Sequence, residues 1–188
     1  MKSYQQGFTL WFTGLPCAGK TSLSDAVERE LRVAGHRVEH LDGDVIRKEL
    51  SLDLTFSKED RATNIQRAAF IASLLSRNGV ATLVSFVSPY SQMRQAARER
   101  IENFMEVYVL CPMNVCEKRD VKGMYKLARA GKIKDFTGIS DPYEEPVNPE
   151  IIVDTDTADI ETCVKQILDY LKDRNFINPK KSVKYTGI

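Results

Sequence analysis

The residues whose types and spacing have the clearest chemical meaning lie in one short stretch near the start of the sequence. It matches G-x-x-x-x-G-K-[ST] at each fixed position and reads Gly14, Leu15, Pro16, Cys17, Ala18, Gly19, Lys20 and Thr21. Glycines let backbone N–H groups turn towards phosphate oxygens, and a helix starting there adds the positive end of its dipole. In such a loop the lysine reaches the β- and γ-phosphates and the hydroxyl residue binds Mg²⁺. The pattern predicts a Mg²⁺–nucleoside triphosphate site, without distinguishing a kinase from a GTPase or a motor.

Two carboxylates and an arginine form a second group of chemically capable residues. Asp42, Asp44 and Arg47 follow the second predicted strand. Because ligand sites of open α/β sheets form at the carboxyl ends of parallel strands, these side chains are candidates for a second substrate site.

A third group surrounds the start of a predicted helix. Phe56 and Ser57 precede it, Ser57 is a plausible N-cap, and Asp60 lies in the first turn. Arg61 and Asn64 are three residues apart and therefore share one helical face. Taken singly, such arginines are most often solvated and such phenylalanines most often belong to a core, so only the joint pattern favours a ligand site.

The elements that position these groups alternate between strands and helices. Phe8–Thr13 is an apolar, β-branched run that stops at Gly14, which is typical of a strand buried on both faces. Further strands are predicted at 37–41, 80–86, 104–110 and 151–153, and helices at 21–34, 60–77, 91–103 and 160–174. This order predicts an α/β three-layer sandwich: a parallel sheet of about five strands with helices on both faces and right-handed crossovers.

The stretch from Met113 to Pro149 interrupts this alternation. It is basic, contains no clear strand and carries several glycines and prolines. A long segment of this kind in a compact domain is more often a functional lid than a linker. We therefore expect a single domain over 1–178 with a lid segment at about 113–149, followed by a polar tail at 179–188.

The composition excludes several other classes of protein. The chain has 188 residues, 43% hydrophobic and 28% charged, with a net charge of +1. These are ordinary globular values, and the charge gives no single-sign field for nucleic acid or an anionic membrane. No signal peptide or apolar run of spanning length is visible, so a cytoplasmic protein is expected.

The cysteines and histidines do not form a recognisable metal or disulfide pattern. Cys111, Cys116 and Cys163 are expected to be reduced, buried and small, and Cys17 to be a permissive loop position. His36 and His40 are too few for a histidine-rich metal site, and neither is assigned a role.

Several further segments occur in a characteristic order. They are Ser85–Tyr90, Cys116–Tyr125, Ala128–Gly131, Phe136–Ile139 and Pro142–Glu144. Together with the phosphate loop, Asp42–Arg47 and Phe56–Asn64, they resemble the adenylylsulfate kinases, over about Gly7 to Leu171. Enzymes of that family are P-loop nucleotide kinase-like and phosphorylate the 3′-hydroxyl of adenosine 5′-phosphosulfate (APS) with ATP, giving 3′-phosphoadenosine 5′-phosphosulfate (PAPS) and ADP in sulfate assimilation.

The resemblance implies roles for particular residues. The phosphate loop, Ser22 and Arg119 would bind ATP, and Asp42 would orient either the 3′-hydroxyl or the water shell of Mg²⁺ and accept the proton late. APS would be bound by a set that includes an aromatic pair around its adenine and arginines on its phosphosulfate: Asp42, Asp44, Arg47, Phe56, Arg61, Asn64, Phe86, Val87, Lys122, Phe136 and Thr137.

Ser88 occupies the position that the family describes as a phosphoserine intermediate. Direct in-line transfer requires positioning and charge neutralisation, without a covalent intermediate. The alternative is therefore that Ser88 and Pro89 shape a turn and place a hydroxyl near the acceptor.

The sequence departs from the family pattern at a few positions. Val45 stands where asparagine is common, Gln66 replaces an arginine, and Pro16–Cys17 is an unusual loop filling. Loss of polar partners at 45 and 66 is expected to weaken APS binding without abolishing activity.

The resemblance also suggests partners, and it leaves two alternatives open. A homodimer is implied, and because the chain begins and ends close to the kinase elements, APS is expected from a separate sulfurylase. One alternative is a kinase with another acceptor, such as a nucleoside. The other is a nucleotide-dependent switch, against which the absence of a guanine-reading N-K-x-D motif argues.

Overall fold

The computed structural model describes residues 6–177, so the predicted tail at 179–188 lies outside the described residues. The strands are β1 (Phe8–Thr13), β2 (Val38–Asp42), β3 (Ala81–Ser85), β4 (Phe104–Leu110) and β5 (Ile151–Asp154). The helices are α1 (Lys20–Val33), α2 (Gly43–Leu50), α3 (Lys58–Arg77), α4 (Ser91–Arg100), α5 (Met113–Lys118), α6 (Met124–Arg129) and α7 (Ile160–Asp173). Each predicted strand and long helix is present, with ends that coincide with the prediction or differ from it by at most three residues.

The five strands form one parallel sheet in the order β2-β3-β1-β4-β5. Strand β1 is central and every one of its residues is buried, as its continuous apolar run predicts. The phosphate loop follows β1 and therefore starts at the middle of the sheet. In the β2–β3 pairing Asp42 lies opposite Ser85, so the ends of these two strands bring a carboxylate and a hydroxyl together.

Side chains of β1 alternate between two cores, one on each face of the sheet. Phe8, Leu10 and Phe12 belong to the core that α1 and α7 cover. Trp11 points to the opposite face and packs in the core under α3 and α4. The predicted three-layer α/β architecture is confirmed. Within the part of the chain that the structure describes, no helix has the length and apolar character of a membrane span.

The structure contains three helices that the periodicity did not predict. Helix α2 begins directly after β2 and is started by a cap: Asp42 Oδ1 accepts from Asp44 N at 2.9 Å and Val45 N at 3.3 Å. Helices α5 and α6 lie in the lid segment and have six residues each, too short for a helical apolar repeat. Helix α4 stops at Arg100 instead of residue 103, because Ile101 returns to an extended backbone and is 2% exposed.

Candidate active site

The phosphate loop has the conformation that its glycines predict. Gly14 has a φ of 154°, and a Cβ there would lie 2.5 Å from the carbonyl oxygen of Val109, so a larger residue would collide with β4. Lys20 Nζ donates to the carbonyl oxygens of Gly14 at 3.0 Å and Leu15 at 2.8 Å. Burial lowers the pKa of Lys20 to about 8. A phosphate group in the loop would favour the charged form, so the lysine is placed to bind an anion.

Two residues from distant parts of the chain support the loop. Thr155 Oγ1 donates to the carbonyl oxygen of Ala18 at 2.8 Å. Arg119 donates through Nη1 to Thr155 Oγ1 at 3.2 Å and through Nη2 to its carbonyl oxygen at 2.6 Å. Arg119, a predicted ATP contact, therefore lies beside the loop. Thr155 was not predicted, and no local motif marks it, because its partner is 137 positions away.

Asp42 connects the phosphate loop to the end of β3. Its Oδ2 accepts from Thr21 Oγ1 at 2.9 Å and from Ser85 Oγ at 3.2 Å, while Oδ1 caps α2. Partial burial alone would raise the pKa of Asp42, but the hydrogen bonds from Thr21 and the α2 amides outweigh burial and lower it overall. The side chain is therefore an ionised carboxylate at neutral pH.

The oxygens of Thr21 and Asp42 also fit the chemistry of a Mg²⁺ site. A hydroxyl and a carboxylate oxygen are hard ligands of the kind that Mg²⁺ takes in nucleotide sites, and they lie 2.9 Å apart at the loop. Thr21 and Ser22 are exposed at the start of α1, where a phosphate-bound ion would approach.

Several of the predicted acceptor residues cluster around the ring of Phe56. Phe56 is 56% exposed, and the Arg47 guanidinium lies 4.2 Å from the centre of its ring. The Arg61 guanidinium is 5.6 Å from the same ring, and Nη1 of Arg61 donates to Thr137 Oγ1 at 3.0 Å. The structure thus brings together an open aromatic face and two cations from three separate sequence segments.

Asn64 and Phe136 are more enclosed than these residues. Asn64 is 4% exposed, and among the described residues its Oδ1 has no hydrogen-bond partner although it is buried. Such an atom is costly unless a ligand supplies a donor. Phe136 is 8% exposed and packs at 4.9 Å, edge to face, on Tyr125. An adenine stacked between Phe56 and Phe136 stays a prediction.

The loop after β3 is rigidly held. Phe86 is buried beside Trp11, with ring centres 5.9 Å apart, and the carbonyl oxygen of Val87 accepts from Thr13 Oγ1 at 2.7 Å. Ser88 has a φ of 39° and is 2% exposed, and its Oγ accepts from Trp11 Nε1 at 3.0 Å. This burial fits the turn-shaping alternative better than an exposed nucleophile, while the catalytic assignment of Ser88 stays a prediction.

The lid segment contacts both halves of the site. Tyr125 donates from its hydroxyl to the carbonyl oxygen of Pro16 in the phosphate loop at 3.0 Å. Lys122 forms an ion pair with Asp44 at the start of α2, and this contact raises the pKa of Lys122. The segment therefore touches the phosphate loop and helix α2 at once.

The structure gives His40 partners that the sequence did not suggest. The side chain is 11% exposed, and its Nε2 lies 2.7 Å from Ser85 Oγ and 2.9 Å from Ser24 Oγ. His40 therefore belongs to the polar network behind Asp42.

Three of the cysteines, Cys111, Cys116 and Cys163, are buried and free, as predicted.

A phosphate loop at the centre of a parallel sheet, an ionised carboxylate facing its threonine and a basic segment across it define a P-loop kinase. The sequence model of the family described as adenylylsulphate kinase matches residues 6–154. The chain belongs to the adenylylsulphate kinase family.

Named relatives agree with this assignment. The adenylyl-sulfate kinase of Halothermothrix orenii is 51% identical over 179 residues, which cover 95% of this chain and 97% of the relative. The APS kinase of Mycobacterium tuberculosis, solved with AMPPNP and APS, has a TM-score of 0.86 and 41% identity, covering 89% of this chain and 98% of that chain. A hexameric APS kinase from Thiobacillus denitrificans has a TM-score of 0.70 and 32% identity, covering 93% of this chain and 30% of that chain.

Proposed function

We propose that this kinase transfers the γ-phosphoryl group of ATP to the 3′-hydroxyl of APS, giving PAPS and ADP. The observation that carries this proposal is the position of Asp42 between the two halves of the site. Its Oδ2 contacts Thr21 of the phosphate loop at 2.9 Å, and the helix that it caps carries Arg47, which stacks on Phe56. The APS complex of the Mycobacterium tuberculosis relative supports the same acceptor.

The transfer would be a direct in-line displacement. The 3′-oxygen forms a bond to the γ-phosphorus while the bond from the γ-phosphorus to the β,γ-bridging oxygen breaks, and ADP leaves. The hydroxyl proton passes to Asp42 Oδ2. The lowered pKa of Asp42 makes it a weak base, which suits a loose transition state in which the proton moves late.

On the donor side, the backbone of the phosphate loop and Lys20 would hold the β- and γ-phosphates. Lys20 would exchange its bonds to the Gly14 and Leu15 carbonyls for bonds to phosphate oxygens. Arg119 would contact the nucleotide from the position that Thr155 gives it. Thr21, with Asp42 directly or through water, would hold Mg²⁺, which would neutralise negative charge on the phosphates.

On the acceptor side, Phe56 would stack on the adenine, with Phe136 as the second aromatic. Arg47 and Arg61 would bind the phosphosulfate, because guanidinium groups pair with two anionic oxygens at once. Asn64 would accept a hydrogen bond through its unpartnered Oδ1. Asp44, Phe86, Val87 and Thr137 would complete the walls, and Lys122 would close over the ligand from the lid segment and exclude water.

A turnover assay with Mg²⁺–ATP and APS tests the proposal. The expected result is one ADP per molecule of 3′-phosphorylated product, identified by mass spectrometry and by release of phosphate with a 3′-nucleotidase. Adenosine, AMP and other nucleosides at equal concentration provide the comparison. ATP consumption that does not depend on APS, or faster turnover of another acceptor, would contradict the proposal.

The oligomeric state, the source of APS and the cellular location are further proposals. We propose a homodimer on family resemblance, to be checked by light scattering coupled to size exclusion, with the hexameric relative as the competing state. A separate sulfurylase would supply APS. A cytoplasmic location is supported by the use of ATP and by the free thiols of Cys111, Cys116 and Cys163.

A further inference from the structure

A buried arginine connects two segments that carry proposed APS contacts. Arg94 lies on α4 and is 3% exposed. Its Nη1 donates at 2.7 Å to the carbonyl oxygen of Ser88, in the loop after β3. Its Nη2 donates at 2.7 Å to the carbonyl oxygen of Glu144, in the lid segment. One rigid guanidinium group therefore spans the loop and the lid segment.

The charge of Arg94 is balanced at the third nitrogen of the same group. Nε lies 2.7 Å from Oε1 of Glu106, which belongs to β4 and is 7% exposed. A buried cation without such a partner would be costly, and pairing at Nε leaves both terminal nitrogens for the two carbonyls. The sheet therefore fixes the plane of the guanidinium, and with it the distance between Ser88 and Glu144.

Further hydrogen bonds hold the same two segments together beside Arg94. The hydroxyl of Tyr90 donates to Asp141 Oδ1 at 2.6 Å, and the amide of Glu144 donates to the carbonyl oxygen of Pro89 at 2.8 Å. Glu144 Oε2 in turn accepts from the amide of Ser91 at 2.7 Å and from its hydroxyl at 2.6 Å. The end of the lid segment at 141–144 is therefore anchored to the loop after β3.

A compact turn connects this anchored end to the proposed acceptor site. Within 136–141, the carbonyl oxygen of Phe136 accepts from the amides of 139–141 at 3.0 to 3.1 Å. Thr137 lies inside the turn and accepts from Arg61 Nη1 at 3.0 Å. Because the turn is held by its own hydrogen bonds, it should move as one unit. Fixing its end at 141 therefore also fixes Thr137 beside Arg61.

We propose that Arg94 is a positioning residue for acceptor binding. It sets the spacing between the loop at 86–88 and the turn at 136–141, and both of these segments carry proposed APS contacts. This inference rests on the proposed function, in which these segments face APS. Arg94 would act through the carbonyl groups of Ser88 and Glu144, without touching either substrate.

The test replaces Arg94 by lysine, which keeps the charge beside Glu106 but cannot reach two separate carbonyls at once. Arg94→Lys should lower kcat/KM for APS roughly tenfold or more, while KM for ATP changes less than about twofold. Arg98→Lys is the matched control. Arg98 lies one turn further along α4 and also pairs with Glu106, but among the described residues its hydrogen bonds go to Glu150 alone.

Hydrogen–deuterium exchange of the free protein separates positioning from a general loss of stability. Arg94→Lys should exchange faster over 136–144 and not over α1, whereas Arg98→Lys should resemble the wild type in both regions. Urea unfolding establishes that each variant is folded. If Arg94→Lys does not fold, Tyr90→Phe removes only the hydroxyl that holds Asp141 and should show the same effects to a smaller extent.

Two results would overturn the proposal: equal changes in KM for both substrates, or unchanged exchange over 136–144 in the folded variant. Turnover of another acceptor by the wild type in place of APS would instead contradict the proposed function. In that case Arg94→Lys should still lower kcat/KM for that acceptor selectively and loosen 136–144.

Discussion

Replacing Asp42 by asparagine separates the two tasks of this side chain. Oδ1 caps α2 through the amides of Asp44 and Val45, and Oδ2 accepts from Thr21 and Ser85. Asparagine keeps the shape and an oxygen for the cap, but it places an NH₂ group where Oδ2 was. The variant therefore removes the proposed proton acceptor and the negative charge while leaving the start of α2 intact.

Capping and proton acceptance affect different quantities, the free energy of unfolding and kcat. Asparagine caps helices about as well as aspartate, so the free energy of unfolding should change by less than about 0.5 kcal/mol, whereas Asp42→Ala should cost about 1 kcal/mol for the lost cap. Loss of a positioned acid–base group lowers kcat by roughly 10²- to 10⁴-fold. Asp42→Asn should therefore be as stable as the wild type and almost inactive.

The assays are initial rates with saturating Mg²⁺–ATP and APS, urea unfolding for stability, and calorimetric titration of ADP without Mg²⁺ for the donor site. ADP affinity should stay within about threefold, because Lys20 and the loop backbone are untouched. Wild-type turnover in Asp42→Asn would refute the proton-accepting role. A loss of stability in Asp42→Asn as large as that in Asp42→Ala would refute the assignment of Oδ1 to the cap.

Three further variants probe other parts of the molecule. Phe56→Ala should raise KM for APS roughly tenfold or more and leave KM for ATP unchanged, because the exposed ring is proposed to stack on the acceptor base. Equal effects on both substrates in initial-rate kinetics would contradict this. Thr155→Val removes the hydrogen bond to the Ala18 carbonyl oxygen and should raise KM for ATP roughly two- to tenfold, with KM for APS constant. A change in KM for APS alone would contradict this support of the phosphate loop. Partial burial would raise the pKa of Glu150, but bonds from Arg98 at 2.6 and 2.7 Å help to lower it overall. The stabilisation by ionised Glu150 is thus present at neutral pH and lost as pH falls below about 5. Glu150→Gln should therefore show a shallower fall in unfolding free energy between about pH 5 and 3 than the wild type. Parallel curves for the two proteins would contradict the role of the ion pair.

The sequence predicted those parts of the fold that depend on repeated local signals. Continuous apolar runs marked β1 and the other strands, and the order of strands and helices gave the parallel sheet. The position of the phosphate loop between β1 and α1 was predicted, because its pattern depends on residues that are neighbours in the chain. The cap at Ser57, which accepts from Asp60 N at 3.2 Å, was predicted for the same reason.

The parts that were not predicted depend on contacts between distant segments. Helix α2 is set by one capping carboxylate at a strand end rather than by an apolar repeat. Thr155 supports the phosphate loop because β5 ends beside it, which no spacing indicates. The position of His40 depends on strand register, since β2 pairs with β3 so that its ring reaches Ser85. A shift of one residue would place that ring on the opposite face.

The cations of the site share an arrangement that bears on selectivity. Lys20 donates to loop carbonyls, Arg61 donates to the Phe56 carbonyl at 2.8 Å and to Thr137, and Lys122 pairs with Asp44. In the proposed site, each incoming ligand would therefore displace a protein acceptor. Anionic oxygens can do so, because charge-assisted hydrogen bonds are stronger than those to neutral carbonyls, whereas a neutral hydroxyl offers no such gain. Specificity for a phosphosulfate over an uncharged nucleoside then follows from what the ligand must replace as well as from what it contacts.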